Sequence, residues 1–180
     1  QKIEIYSSGG TYRFLKENNI KANEISKYTK SPEILDGRVK TLHPKIHGGI
    51  LAKRNVPKHL KELKKNKINL MDLVIVNLYP FKKTVASKSS FKECIENIDI
   101  GGPTLIRAAA KNFEFVTTIT DPNDYQKFID EMKKNKNHIS KNTRLKLATK
   151  AFNEISIYDM DISNWFSKIE NDKNKNFLIQ

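Results

Sequence analysis

The sequence predicts an α/β domain with a mostly parallel sheet, and three observations carry that expectation. Leu73–Leu78 is a near-continuous β-branched run, as a parallel strand covered on both faces requires. Phe115–Ile119 is a second such run, and Ile3–Tyr6 reads as a short strand. Segments of helical character separate them, and strands alternating with helices indicate a parallel sheet.

In chain order, Ile3–Tyr6 runs into Ser8-Gly9-Gly10-Thr11, and Tyr12–Asn18 reads as a helix. Strand, glycine turn and helix point backbone N–H groups and the positive helix end at an anion. The run Gly37–Leu51 places Arg38 and Lys40 two residues apart beside Thr41. Its glycines and Pro44 argue against an ordinary helix or a central strand. In an extended chain, side chains two apart point the same way, so Arg38 and Lys40 could grip one anion.

Asn77 and Tyr79 fall at the C-terminal end of the 73–78 strand, where open α/β sheets place ligands. Asp99 stands just before Gly101-Gly102-Pro103, and Pro103 suits the first position of a helix. Arg107 and Lys111, four apart, share one face of that helix, and Ala108–Ala110 let it pack closely. Thr120-Asp121-Pro122 opens a helix over 122–134. Leu145, Ala148, Phe152, Ile155, Tyr158, Ile162, Trp165, Phe166 and Ile169 recur at three- and four-residue steps, an apolar stripe on one long helix or two consecutive ones. The expected division is a core over 1–140, a helical segment over 141–169 and a polar tail or linker over 170–180.

Composition excludes several classes. With 180 residues and 38% apolar content, the chain supports one real core and is not wholly disordered. It has no apolar stretch near the length of a membrane span and no signal-peptide pattern. Its one cysteine, Cys94, permits no internal disulfide, which suits a cytoplasmic protein, and reads as a buried helix residue. The net charge of +13 invites a nucleic-acid reading. However, the lysines are spread among Asn and Glu without interleaved aromatics, and only five cations are arginines, so a solvated surface is expected and no nucleic-acid partner. His43 and His47 have a four-residue spacing, but Pro44 separates them and no third ligand is evident, so no metal site is expected.

Taken in order, Ser8–Thr11, Gly37–Leu51, Asn77–Pro80 and Asp99–Lys111 resemble the inosine monophosphate (IMP) cyclohydrolase domain of the bifunctional purine-biosynthesis enzyme. That enzyme also carries 5-aminoimidazole-4-carboxamide ribonucleotide transformylase. The resemblance extends from about Ile3 to Ile169. It implies a methylglyoxal-synthase-like, Rossmann-like three-layer fold and ring closure of 5-formamidoimidazole-4-carboxamide ribonucleotide to IMP. Catalytic roles would fall to Lys40, Tyr79, Asp99 and Lys111. Substrate contacts would come from Ser8, Gly9, Gly10, Thr11, Arg38, Thr41, Asn77, Gly101 and Gly102.

The resemblance further implies a homodimer acting on a purine ribonucleotide, with no cofactor for ring closure. 10-Formyltetrahydrofolate would serve the transformylase domain, which has no counterpart here. Nor does the family's N-terminal strand–loop–helix unit, so the sequence reads as a fragment. On residue types alone, Asp99 equally suits a helix cap, Tyr79 a buried turn anchor, Arg107 and Lys111 solvated charges, and Ser8–Thr11 a plain turn. A non-catalytic nucleotide-binding regulatory module of the same fold is the alternative.

Overall fold

The computed structural model describes residues 3–171. β1 (Tyr6–Ser7) pairs in parallel with β2 (Asn23–Glu24), and β3 (Leu73–Ile75) in parallel with β4 (Thr117–Ile119). Around them lie α1 (Gly9–Glu17), α2 (Ile25–Thr29), α3 (Pro44–Leu51), α4 (Pro57–Lys65) and α5 (Phe81–Ala86). The chain continues through α6 (Phe91–Glu96), α7 (Gly101–Lys111), a 3₁₀ turn at Pro122–Asp124, α8 (Tyr125–Lys134) and α9 (Lys141–Asn171).

The architecture is α/β and parallel, as expected, but the sheet comes in two short pieces. Among the described residues, β1 and β3 each pair along one edge only. Without a ladder on the second edge the regular strands shorten: Ile3–Tyr6 reduces to Tyr6–Ser7, Leu73–Leu78 to Leu73–Ile75, and Phe115–Ile119 to Thr117–Ile119. Single backbone bonds still continue past these ends, from Asn23 to Ile5 and from Val76 to Ile119. Ile75, expected to be covered on both faces, is 50% exposed.

Several helix boundaries also differ. α1 begins in the glycine run rather than at Tyr12, because Gly9 adopts φ +54 and turns the chain directly into the helix. The latter half of the Gly37–Leu51 run is helical: Pro44 occupies the first turn of α3, where its missing N–H costs nothing, and His43 Nδ1 caps it by accepting from Lys45 N–H. α7 starts at Gly101, two residues before Pro103. The 122–134 segment opens as a 3₁₀ turn, with Asp121 accepting from Asn123 N–H.

Three clusters form the core. Ile25, Ile46, Ile50, Val74, Ala108, Ala109 and Val116 join both strand pairs, since Tyr6 packs on the same group. Ile106, Ala110, Ala148, Ala151 and Ile155 seat α7 on α9, where the run of alanines allows close approach. Phe81, Cys94 and Tyr158 form the third, with Trp165 edge-on to Phe81 at 5.5 Å. The buried stripe of α9, one continuous helix, thus runs through Ala148, Ala151, Ile155 and Tyr158, whereas Leu145, Phe152 and Phe166 are exposed. At the end of α7, buried Asn112 donates to the carbonyls of Ile50 and Ala52 and locks α3 against α7.

Lys150 on α9 reaches Asp121 and Asp124, each at 2.6 Å. The hydrogen bond from Lys150 holds the Asp121 carboxyl below its ordinary value of 3.8. A carboxyl depressed in the folded state adds stability above its unfolded value, and that contribution is lost as pH falls through the folded one. Lys150→Met is therefore expected to flatten the decline of melting temperature between about pH 5 and about pH 3. Parallel declines in both proteins would remove this contact from the acid response.

Candidate active site

Two helix N-termini meet at Lys40 and Thr41. At α1 the first backbone bond runs from Tyr12 N–H to Ser8 O, so the amides of Gly9, Gly10 and Thr11 lie outside the helical ladder. A methyl group built on Gly9 would lie 3.1 Å from Lys40 Nζ, so the ammonium stands against this helix start. At α7 a methyl on Gly101 would lie 2.9 Å from Thr41 Oγ1. Neighbouring residues of one loop therefore touch both N-termini, whose dipoles favour negative charge.

That loop is wound unusually. Leu35 and Asp36 adopt φ 54 and 53 and Gly37 φ 84, with Ile34 bridged to Val39. Left-handed backbone at two consecutive non-glycine residues is strained and is retained where a side chain must be delivered to a particular place. Here that side chain is Lys40, which rests against Gly37 and pairs with Glu33 at 3.6 Å. Arg38 does not share an anion with it in this structure. Its guanidinium forks onto Glu96 of α6 at 2.9 and 3.3 Å and is 61% exposed.

Asp99 joins the same cluster. Its Oδ1 accepts from Gly102 N–H at 2.8 Å, so the carboxylate caps α7, the simpler of its two readings. The cap also fixes the group in space: a methyl on Gly102 would collide with the carboxylate and press on Leu78. Leu78 belongs to the segment that follows β3, so Asn77 and Tyr79 flank the same place. The Asn77 side-chain amide donates to Tyr125 Oη at 3.3 Å. Tyr79 is 56% exposed and so does not serve as a buried turn anchor.

Lys111 is not brought to this cluster within one chain. It ends α7, about 15 Å along the axis from Gly101 at the helical rise. There it lines a groove of ≈ 530 Å³ with Arg107, Leu51, Leu145 and Phe152. Arg107 lies over the Phe152 ring at 5.7 Å. Neither this groove nor the ≈ 570 Å³ hollow near Asn164 and Lys168 includes Lys40 or Asp99, both of which are half-buried.

His43 acts as a helix cap. His47 has an unpartnered Nε2, and burial lowers its pKa. No group of three or more His, Cys, Asp or Glu side chains among the described residues could hold a metal ion, and no helix among them is long and apolar enough to cross a membrane. Composition and period gave no sign of Glu33, Glu96 or Tyr125, which engage the site residues. Only the Asp-Pro helix start hinted at Tyr125.

Fold and site together define an α/β domain in which two helix N-termini converge on Lys40 and Thr41 beside Asp99. The chain belongs to the MGS-like domain family, whose model matches residues 1–104. Residues 109–180 match the AICARFT/IMPCHase bienzyme family. The bifunctional purine biosynthesis protein PurH of Prochlorococcus marinus (strain MIT 9515) is 53% identical over 97% of this chain and 33% of its own length. Its namesake from Clostridium perfringens (strain SM101 / Type A) is 56% identical over 91% of this chain and 32% of its own length. The chain thus spans about a third of these relatives. The crystal structure of ForH superposes with a TM-score of 0.77 at 33% identity, covering 91% of this chain and 85% of that one.

Proposed function

We propose that this chain is an IMP cyclohydrolase unit, closing the pyrimidine ring of 5-formamidoimidazole-4-carboxamide ribonucleotide in purine biosynthesis. The contact of Lys40 with Gly9 and of Thr41 with Gly101, beside Asp99, carries the reading. The names of the relatives favour it over a regulatory module of the same fold. The substrate's 5′-phosphate would lie on the amides of Gly9–Thr11 and the Ser8 and Thr11 hydroxyls, with Arg38 and Thr41 closing over it and Asn77 orienting the base.

In ring closure the carboxamide nitrogen attacks the formyl carbon. A C–N bond forms, the carbonyl π pair moves onto oxygen, and the nitrogen loses a proton; the hydrated ring then expels water as the C=N bond forms. Both reacting groups sit on one molecule, so holding the reactive rotamer supplies much of the acceleration. Asp99 would take the carboxamide proton. The Lys40 ammonium and the amide of Gly101 would stabilise the developing oxyanion, and Tyr79 would return a proton to the departing oxygen. Gly102 would hold Asp99 in place through its own N–H.

This chemistry consumes no redox carrier, and 10-formyltetrahydrofolate would belong to the remaining two thirds of a protein like the relatives. A homodimer and a cytoplasmic location are parts of the same proposal. The full-length protein is expected to convert the formylated ribonucleotide to IMP in an ultraviolet assay. Nucleotide binding without turnover would support the regulatory module instead, and salt-sensitive binding of single or double strands would support neither.

A further inference from the structure

Tyr158 stands in an apolar setting with its polar end aimed out of it. The residue is 8% exposed on the inner face of α9, clustered with Phe81 and Cys94. Phe81 lies edge-on to its ring at 6.4 Å. A phenylalanine would fill that space equally well, so packing does not explain the hydroxyl. The Oη leaves the cluster and accepts the backbone N–H of Asp99 at 2.7 Å, and it donates, at 3.4 Å, to the carbonyl of Asn97. Burial raises the phenol above its ordinary value, so the hydroxyl keeps its proton.

Asp99 is thereby held from both ends. Its carboxylate is fixed by Gly102 N–H on α7, and its backbone by a side chain projecting from a helix that begins more than forty residues later. The short link from α6 to α7 has few other anchors: Asn97 N–H closes the last turn of α6, and Ile98 N–H bonds back to Ile95. A part-buried N–H left without its partner costs enough to shift such a link.

We propose that Tyr158 is a positioning residue for ring closure, setting through its hydroxyl where Asp99 presents its carboxylate. The inference rests on Asp99 acting on the substrate and adds the device that aims it. Binding of the phosphate end does not involve this link, so the effect falls on turnover and spares affinity.

The test is a double-mutant cycle in the full-length protein. Tyr158→Phe is expected to lower kcat about tenfold with KM within about twofold. Asp99→Asn should lower kcat about a hundredfold or more, and adding Tyr158→Phe to it should cost nothing further, because the hydroxyl acts only through the carboxylate. In hydrogen-exchange measurements the Asp99 amide should exchange at least about tenfold faster in Tyr158→Phe. Trp165→Leu loosens the same aromatic cluster without touching the hydroxyl, and is expected to lower melting temperature while leaving kcat within about twofold.

Should Tyr158→Phe cost the same factor in both backgrounds, or nothing while Asp99→Asn abolishes turnover, the positioning role is overturned and the role of Asp99 stands. If Trp165→Leu reproduces the kcat loss at equal destabilisation, the effect is packing and the role is again overturned. Full turnover in Asp99→Asn overturns the underlying reading and this one with it.

Discussion

Lys40→Ala is expected to slow ring closure by about 10²–10³-fold, the usual cost of removing one well-placed oxyanion donor. The argument comes from where the ammonium is held. Three successive left-handed residues fold the 34–39 loop back so that Lys40 Nζ reaches the start of α1, beside amides that no helical carbonyl can satisfy. In the free chain its partner is Glu33 at 3.6 Å, and both side chains are about one-third exposed, at 32% and 33%. A partly solvated pair at that distance is worth little, so an anionic ligand releases Lys40 at small cost.

Arg38 offers the contrast. It forks onto Glu96 and is largely exposed, so Arg38→Ala should act mainly through KM, by about tenfold or less. Steady-state kinetics on the purified variants separate the two. A Lys40→Ala protein with kcat within about fivefold of wild type would take Lys40 out of the chemistry and leave it a phosphate contact only.

How much of this the sequence shows depends on whether a residue's role is local. The glycines at 9, 101 and 102 were legible because close backbone approach leaves few other residue types, and each abuts a side chain of the cluster. The Phe115–Ile119 and Leu73–Leu78 runs were legible as strands, yet their lengths were not, since length depends on what pairs along the second edge. Pro44 is as much a helix starter as a helix breaker, and the His43 cap beside it decides for the start of α3. The capping box of α6 is local too, carried by the three-residue spacing of Ser90 and Glu93.

Other features could not have been read at all. Left-handed Leu35 carries no residue-type signature, and the hydroxyl of Tyr158 is silent inside an apolar stripe. Helical period placed Leu145 and Phe152 on the buried face of α9 because it fixes spacing but not the rotation of the helix. Packing against the alanines of α7 keeps Ala148 and Ile155 of that stripe buried and adds Ala151 to them.

Lys111 poses the sharpest geometric question, and its substitution carries the second large expected effect. The resemblance gives it a catalytic role, yet one chain places it at the far end of α7 from Asp99, in a groove between α7 and α9. A lysine side chain spans about 6 Å, so the helical rise of roughly 15 Å is beyond its reach. A catalytic Lys111 would therefore arrive from a second copy, whose α7 would run past the Lys40–Asp99 cluster of the first. On that geometry Lys111→Ala lowers kcat by about 10²-fold, and mixing it with Lys40→Ala restores up to about a quarter of wild-type activity. Restoration occurs because about half of the dimers formed on mixing are heterodimers, and each of these holds one intact site of two, made by the two unmutated lysines. Each variant alone has none. If mixing restores nothing while both single variants are inactive, Lys111 does not act across an interface. If Lys111→Ala turns over normally, it is a groove-lining surface charge, and the chemistry belongs to Lys40, Tyr79 and Asp99 alone.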